Sequence, residues 1–360
     1  MVIVPGSVSL LFNLNVAGHA NNTLVNNVGR NLMTSLKVKF GGEVLQTAER
    51  YDLLQTYNDL FLSNEEREDR LEQGISSVNM RKLRTNAGDK VTSDAGEVAL
   101  ASIHNTKYRI PLDPPVLNDY GAFYPKALPH HLILELTFAP MADIVIYSDA
   151  TKAPSYTITN LELEYQCISS EHLAEQAKAS YQSEKGFFYE NILLHKTSTI
   201  SKPNNSVINE HINLPRESMT GILCLFTEAH TAGTRDSEKF VNPDIKSINI
   251  NVDGIPNRLY SKGMVPSDTW ENIKKCMGGS GSLKEKEFYT GNKYALWIDL
   301  RTFPDNGIHG GGLTLNKTRD GVKLEIKRKF RGSGNMTCHM FVVADALMEV
   351  MNSNLKSILY

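Results

Sequence analysis

The sequence predicts an all-β protein with short helices, built from two similar β domains. Three observations lead there. A landmark occurs twice: a β-hairpin that feeds directly into an amphipathic helix. Further strand-like segments follow each landmark, and they echo one another in the same order. Between the two series lies a polar, helix-prone stretch, residues 169–186.

The first landmark lies within Asn21–Leu62. Val38–Phe40 and Glu43–Leu45 read as strands, and Gly41-Gly42 can take the positive φ angles of a tight turn. Leu53, Leu54, Tyr57 and Leu60 then recur at helical spacing. In the second landmark, Ile248, Ile250 and Val252 alternate into an Asp253-Gly254 turn. Ser267 is a candidate N-cap for a helix that carries Trp270 and Ile273 on one face. Downstream, Lys107–Asp113 is echoed by Lys293–Leu300, His131–Leu136 by Val322–Ile326, and Ile158–Tyr165 by Met336–Val343. One echo is unremarkable in a β-rich chain. Four in the same order predict a duplication.

Taken in order, Ser7–Val16 reads as a first strand and Val25–Val38 as a mixed, strand-like stretch. The mixed-charge run Glu65–Arg70 reads as a solvated helix face. Residues 73–105 read as a long exposed loop. Residues 107–165 supply three or four strands, which completes a first domain over 1–168. Residues 169–186 form a helical linker, with Ser169 or Ser170 as cap and Leu173, Ala174 and Ala177 on one face. A second domain, 187–360, has strands near Asn191–Ile200, Val207–Leu214 and Gly221–Phe226. A polar loop follows at 228–244, with loop tips at 277–282 and 303–319. Asn335–Val343 is the last strand, and Ala344–Met351 reads as a helix or a departing tail.

With 360 residues, 41% hydrophobic and 22% charged, the chain can bury two cores. A net charge of −2 gives the whole surface no bias toward polyanions. No apolar run approaches the length that crosses a membrane. Met1–Leu14 has no basic leader region and is broken by Pro5-Gly6, so it is a poor secretion signal. It enters its first strand abruptly, as if residues once preceded it. Cys167, Cys224, Cys276 and Cys338 are too far apart for a C-x-x-C site. Cys167, Cys224 and Cys338 have apolar surroundings and read as buried, reduced thiols. Sequons at Asn21, Asn204, Asn316 and Asn335 carry little weight without a secretion signal.

The chemistry-bearing motifs are weak. His309-Gly310-Gly311-Gly312 matches an esterase oxyanion segment, but no G-x-S-x-G elbow accompanies it. His130-His131 would point to opposite faces of a strand and lacks neighbouring ligands. Gly278–Ser282 could cradle a phosphate, yet no Lys-Ser/Thr pair opens a helix behind it. Lys323, Lys327, Arg328, Lys329 and Arg331 could meet nucleic-acid phosphates, but read better as a solvated strand edge. No catalytic, cofactor-binding or metal site is assigned. The pattern suits a structural or binding protein.

The segments VPGSVSLLFNLN, VGRNLMTSLKVKFGGEVLQ, YDLLQTYNDLFLSNEERED, TNLELEYQCIS, KGFFYENILLHKT and VNPDIKSININVDGIPNRLYSKGM resemble the major capsid proteins of Polinton/Maverick elements and adintoviruses. The resemblance covers nearly the whole chain. It implies a double jelly roll: two eight-stranded antiparallel β-sandwich domains side by side. It also implies homotrimers forming pseudo-hexagonal, hexon-like capsomers that tile an icosahedral shell. Each chain then supplies two roughly equivalent units, which is what the duplication provides. The implied partners are the chain itself, then penton and minor capsid proteins, with no membrane span and with weak DNA contact on the inner face. The implied location is the virion, assembled inside the host cell and not secreted. Loops 48–106, 228–245 and 301–320 are then the expected outer surface and trimer contacts. A rival class is a glycan-active or glycan-binding double jelly roll, peptide N-glycanase-like or lectin-like. It would use carboxylates such as Asp52, Asp59, Glu162 and Glu164, or an aromatic platform from Trp270 and Trp297.

Overall fold

The computed structural model describes residues 2–17, 23–70, 103–118, 130–147, 154–182, 185–200, 207–256, 268–277, 283–301, 311–316, 318–328, 335–352 and 354–360. The chain divides into two compact units. Unit 1 comprises Met1–Ser183 and His230–Glu238, and unit 2 comprises Glu184–Ala229 and Lys239–Tyr360.

Unit 1 holds strands β1 (Val2–Ile3), β2 (Ser9–Ala17), β3 (Thr23–Leu24), β4 (Met33–Phe40), β5 (Glu43–Glu49), β6 (Ile103–Pro111), β7 (Leu132–Phe138), β8 (Val145–Ile146), β9 (Ser155–Glu164) and β10 (Cys167–Ile168). Two three-stranded antiparallel sheets form, in the orders β6-β2-β9 and β5-β4-β7, with ribbons β1-β10 and β3-β8. Unit 2 holds β11 (Lys185–Ile200), β12 (Val207–Ile212), β13 (Met219–Glu228), β14 (Ile245–Val252), β15 (Ile255–Pro256), β16 (Ala295–Asp299), β17 (Val322–Arg328), β18 (Met336–Met351) and β19 (Asn354–Leu359). Its sheets run β11-β18-β13-β16, with β19 also on β18, and β12-β17-β14-β15. Numbering the first eight strands of unit 2 from B to I gives the sheets B-I-D-G and C-H-E-F. That is the jelly-roll order.

The predicted landmarks form where the sequence places them. Gly41 and Gly42 adopt φ +59° and +91°, and Asp253 and Gly254 adopt +54° and +80°. Two successive positive-φ residues make the type I′ turn that matches strand twist. The helices α2 (Tyr51–Asp59) and α3 (Asp268–Cys276) follow their hairpins. The echoed strands also pair alike. In unit 1, β9-β2-β6 and β7-β4-β5 repeat β18-β13-β16 and β17-β14-β15 of unit 2. Even the packing recurs. Phe12 on β2 stacks on Tyr108 of β6 with centroids 5.9 Å apart, and Phe226 on β13 meets Tyr294, just before β16, at 6.2 Å.

Several expectations change. The stretch Val25–Val38 is not all strand: a helical turn, α1 (Val28–Asn31), precedes β4, after Asn27 takes the left-handed conformation at φ 55°. Ala344–Met351 is neither helix nor tail. It continues β18 as one 16-residue strand, because Ala344–Val350 pair with Lys185–Asn191 and alternate between buried and half-buried. The basic segment is not an edge, since β17 lies between β12 and β14. Residues 230–238 are not a free loop and pack as part of unit 1. The resemblance implies eight strands in each unit. Among the described residues, unit 1 has counterparts of six, with none for β11 and β12. Cys224 and Cys338 are buried free thiols as expected, while Cys167, on the short ribbon, is only half-buried.

The helix expected within 169–186 forms as Glu171–Gln182. The mixed-charge run makes a short helix, Asn64–Glu68, closed by a capping box. The Ser63 Oγ accepts from the Glu66 N–H at 3.1 Å and the Glu66 carboxylate accepts from the Ser63 N–H at 2.7 Å.

Candidate functional site

None of the chemistry-bearing motifs assembles a reactive centre among the described residues, and no group of three or more His, Cys, Asp or Glu there could hold a metal. The Gly278–Ser282 segment, His309-Gly310, Lys329 and Arg331 lie outside the described residues, as do the sequons at Asn21 and Asn204. Gly312 is described, and its role is steric. A Cβ there would sit 2.6 Å from the Met219 backbone. Its N–H donates to Ser218 Oγ at 3.0 Å, and that hydroxyl donates to Asp345 Oδ2 at 2.6 Å. His130 packs edge-on against Phe40, with centroids 6.2 Å apart. A Cβ on Gly41 would lie 2.7 Å from its ring. The first histidine of the pair is therefore a lid on the hairpin turn.

The two described lysines of the basic run are ion-paired, and its described arginine bonds to backbone. Lys323 Nζ meets Asp320 at 3.1 Å and Lys327 Nζ meets Glu325 at 3.0 Å. Arg328 Nε donates to the Pro243 carbonyl at 3.0 Å. On this sheet, a hollow of about 560 Å³ is lined by Asn209, His211, Asn249, Asn251, Lys323 and Glu325, among others. Hydrogen bonds from Asn249 and Lys327 hold the Glu325 carboxyl below its ordinary range. This polar, ion-paired sheet face has no preorganised acid/base pair.

The carboxylates singled out by sequence have two fates. Glu162 and Glu164 are exposed on β9, with Glu164 3.0 Å from Arg109. Asp52 and Asp59 are buried in unit 1. Arg50 grips Asp52 with two bonds, Nε to Oδ1 at 3.1 Å and Nη2 to Oδ2 at 2.9 Å. Arg235 Nη2 donates to the same Oδ2 at 2.7 Å and to Asn31 Oδ1 at 2.9 Å. Burial alone would raise the Asp52 carboxyl, but the two guanidinium groups outweigh it and hold it below the usual carboxylate range. Arg30 lies 3.2 Å from Asp59 and 3.1 Å from Asp113, and donates to the Pro111 carbonyl at 2.8 Å. Burial opposes its charge, and the two carboxylates more than compensate. Trp270 and Trp297 are buried and offer no platform to a sugar.

This network fixes the segment 230–238. Gly233, at φ +77°, accepts from the Tyr147 N–H at 2.9 Å and donates to the Ala142 carbonyl at 3.1 Å. Ser237 Oγ donates to the Asn26 carbonyl at 2.6 Å, His230 lies 3.1 Å from Asp143, and Arg67 lies 3.7 Å from Glu238. Of the three expected loops, 228–245 is thus largely a packed strap. Much of 48–106 and of 301–320 lies outside the described residues. In the remainder, Leu313 bridges to Met219 at the start of β13. Sequence reasoning missed Arg30, Arg50, Asp113 and Arg235. Arg30 stands among buried neighbours, which is a weak signal, whereas Thr234-Arg235-Asp236 reads as ordinary polar loop.

The comparisons with known proteins match this architecture. No protein-family model matches the sequence, and no curated protein does. Solved structures do. PBCV-1 VP54, in a crystal structure fitted into a reconstruction of the virophage Sputnik, aligns with TM-score 0.65 at 13% identity over 100% of this chain and 91% of that one. The Faustovirus major capsid protein aligns at 0.57 and 9% identity, over 97% and 80%. The mavirus major capsid protein aligns at 0.53 and 10% identity, over 100% and 85%. The fold of this chain is the double jelly roll of those capsid proteins.

Proposed function

We propose that this chain is a structural major capsid protein. It forms homotrimeric, pseudo-hexagonal capsomers of an icosahedral shell of the Polinton/Maverick type. The observation that carries this reading is the alignment of both units, over essentially the whole chain, with PBCV-1 VP54. Three chains with two similar units each can occupy a six-fold tile, and the strand pairing that the two units share supports that similarity. Penton and minor capsid proteins are the further partners of this reading, with DNA at most a weak contact of the inner face. Its location is the virion, after assembly in the host cell. The role is mechanical, so no residue is assigned to catalysis.

The glycan reading has no observation in its favour. Its best carboxylates, Asp52 and Asp59, are sealed against arginines, and both tryptophans are buried. Light scattering behind a sizing column tests the proposal. The expected mass is about 120 kDa, three times the chain's 40.1 kDa, and stable on dilution. A monomer that persists at high concentration would sink the trimeric capsomer.

A further inference from the structure

We propose that residues 230–238 are a preset strap: the folded β13 and β14 stems of unit 2 present it, and its seating in unit 1 couples the stability of one unit to that of the other. The inference is independent of the capsid reading. It starts from how the strap is held. Within 230–238 only Gly233, Arg235 and Ser237 are buried, and the one apolar side chain, Ala232, is exposed. The hold is polar throughout. Arg235 meets Asp52 and Asn31, Ser237 meets the Asn26 carbonyl, His230 lies beside Asp143, and Glu238 lies beside Arg67.

Such a hold is weak against the entropy of ordering the segment. Every residue fixed costs conformational freedom, which apolar burial normally outweighs. Hydrogen bonds contribute little net stabilisation, and desolvation offsets much of the attraction in a buried ion pair. A strap of this kind seats firmly when its ends are fixed beforehand.

Unit 2 fixes both ends. Upstream, β13 runs to Glu228, which pairs with Met336, and the Ala229 N–H donates to the Asn335 carbonyl at 3.4 Å. His230, the next residue, already belongs to unit 1. Downstream, Lys239 Nζ lies 2.5 Å from Glu228 and closes the base of the loop. The buried Phe240 donates its N–H to the Asn292 carbonyl at 2.7 Å and accepts from the Tyr294 N–H at 3.0 Å. The Val241 N–H donates to the Phe226 carbonyl at 2.8 Å. The last strap contact, at Glu238, and the first stem contact, at Lys239, are therefore adjacent in sequence. One residue spans at most about 3.6 Å, so neither junction has slack. Ordinary domain linkers are flexible stretches with few contacts.

Unit 1 in turn needs what the strap brings. Asp52 is fully buried on α2, and Arg235 is the second of its two guanidinium partners. When unit 2 unfolds, the stems go, the strap becomes a free segment, and Asp52 keeps Arg50 alone. Linkage makes the coupling reciprocal, so seating the strap also stabilises unit 2.

The test is hydrogen exchange on the full chain, read at α2 in unit 1 and at β18 in unit 2. About six Gly and Ser residues are inserted at each junction, 229/230 and 238/239. The insertions keep every strap residue and remove only its presentation. They should speed exchange at α2 roughly tenfold or more. Arg235→Ala should speed it by a similar factor. The insertions should add little in the Arg235→Ala chain, because both changes act through the same seating. If the doubly inserted chain does not fold, the 238/239 insertion alone carries the same expectation. Unchanged exchange at α2 in the inserted chain would overturn the proposal, because the strap then seats without help from unit 2. Equal acceleration with and without Arg235 would overturn it as well, because the insertions then act by a route other than the strap.

Discussion

Arg235 shows how much one side chain can decide. It is buried, it shares Asp52 with Arg50, and it belongs to a strap that sequence reads as loop. Removing one partner of a buried ion pair leaves an uncompensated charge, at a cost of about 3–5 kcal/mol. Arg50 remains in Arg235→Ala, so the expected loss is about 3 kcal/mol, at the low end of that range, measured by denaturant unfolding. Arg235→Lys should recover only part of it, because an ammonium is more strongly hydrated than a guanidinium and costs more to bury. The same site sets a pH dependence. The Asp52 carboxyl is held below its ordinary range in the folded chain, so the unfolded chain takes up the proton first. Its stabilisation is present above about pH 4 and is lost as pH falls through the folded value. Asp52→Asn should be less stable at neutral pH and should lose part of the acid slope in a pH series of melting curves. In unit 2, a Cβ on Gly221 would lie 2.3 Å from the Trp297 ring and 2.8 Å from the Ile298 carbonyl. Gly221→Ala should cost about 1–3 kcal/mol by overpacking, seen as a lower melting temperature.

At the scale of elements, the hairpins and the α2 and α3 helices were legible because their signals are local. A turn needs two residues that tolerate positive φ, and a helix needs one apolar stripe. The end of β18 was not legible. Ala-Asp-Ala-Leu-Met-Glu is good helix sequence, and only pairing with β11 and β19 makes it strand. Pairing also hides chemistry. Cys224 on β13 and Cys338 on β18 are buried, and the hydrogen bond to Cys338, with burial, pushes the Cys224 thiol well up. Thiolate is the reactive form. Both cysteines should therefore resist alkylation in the native chain and react at the rate at which unit 2 unfolds. Mass-mapped alkylation across a denaturant series reads this directly. Prompt labelling in buffer would mean that the β13–β18 pairing opens on its own.

For the whole molecule, the proposed trimer makes stability a function of concentration, since association stabilises the folded state by mass action. The melting temperature should rise with protein concentration over a hundredfold range. A constant value would argue that the subunits do not hold one another. Sequence by itself determined the β class, the doubling and the order of strands in each half, because alternation, turn residues and repeats are written locally along the chain. It also showed the lack of a motif with catalytic spacing. The tertiary structure alone decided that residues 230–238 pack into unit 1, that β17 is central, and that Ala344–Met351 continue β18. Each depends on which distant segment lies alongside, and a strand's own residues specify that it pairs without specifying its partner.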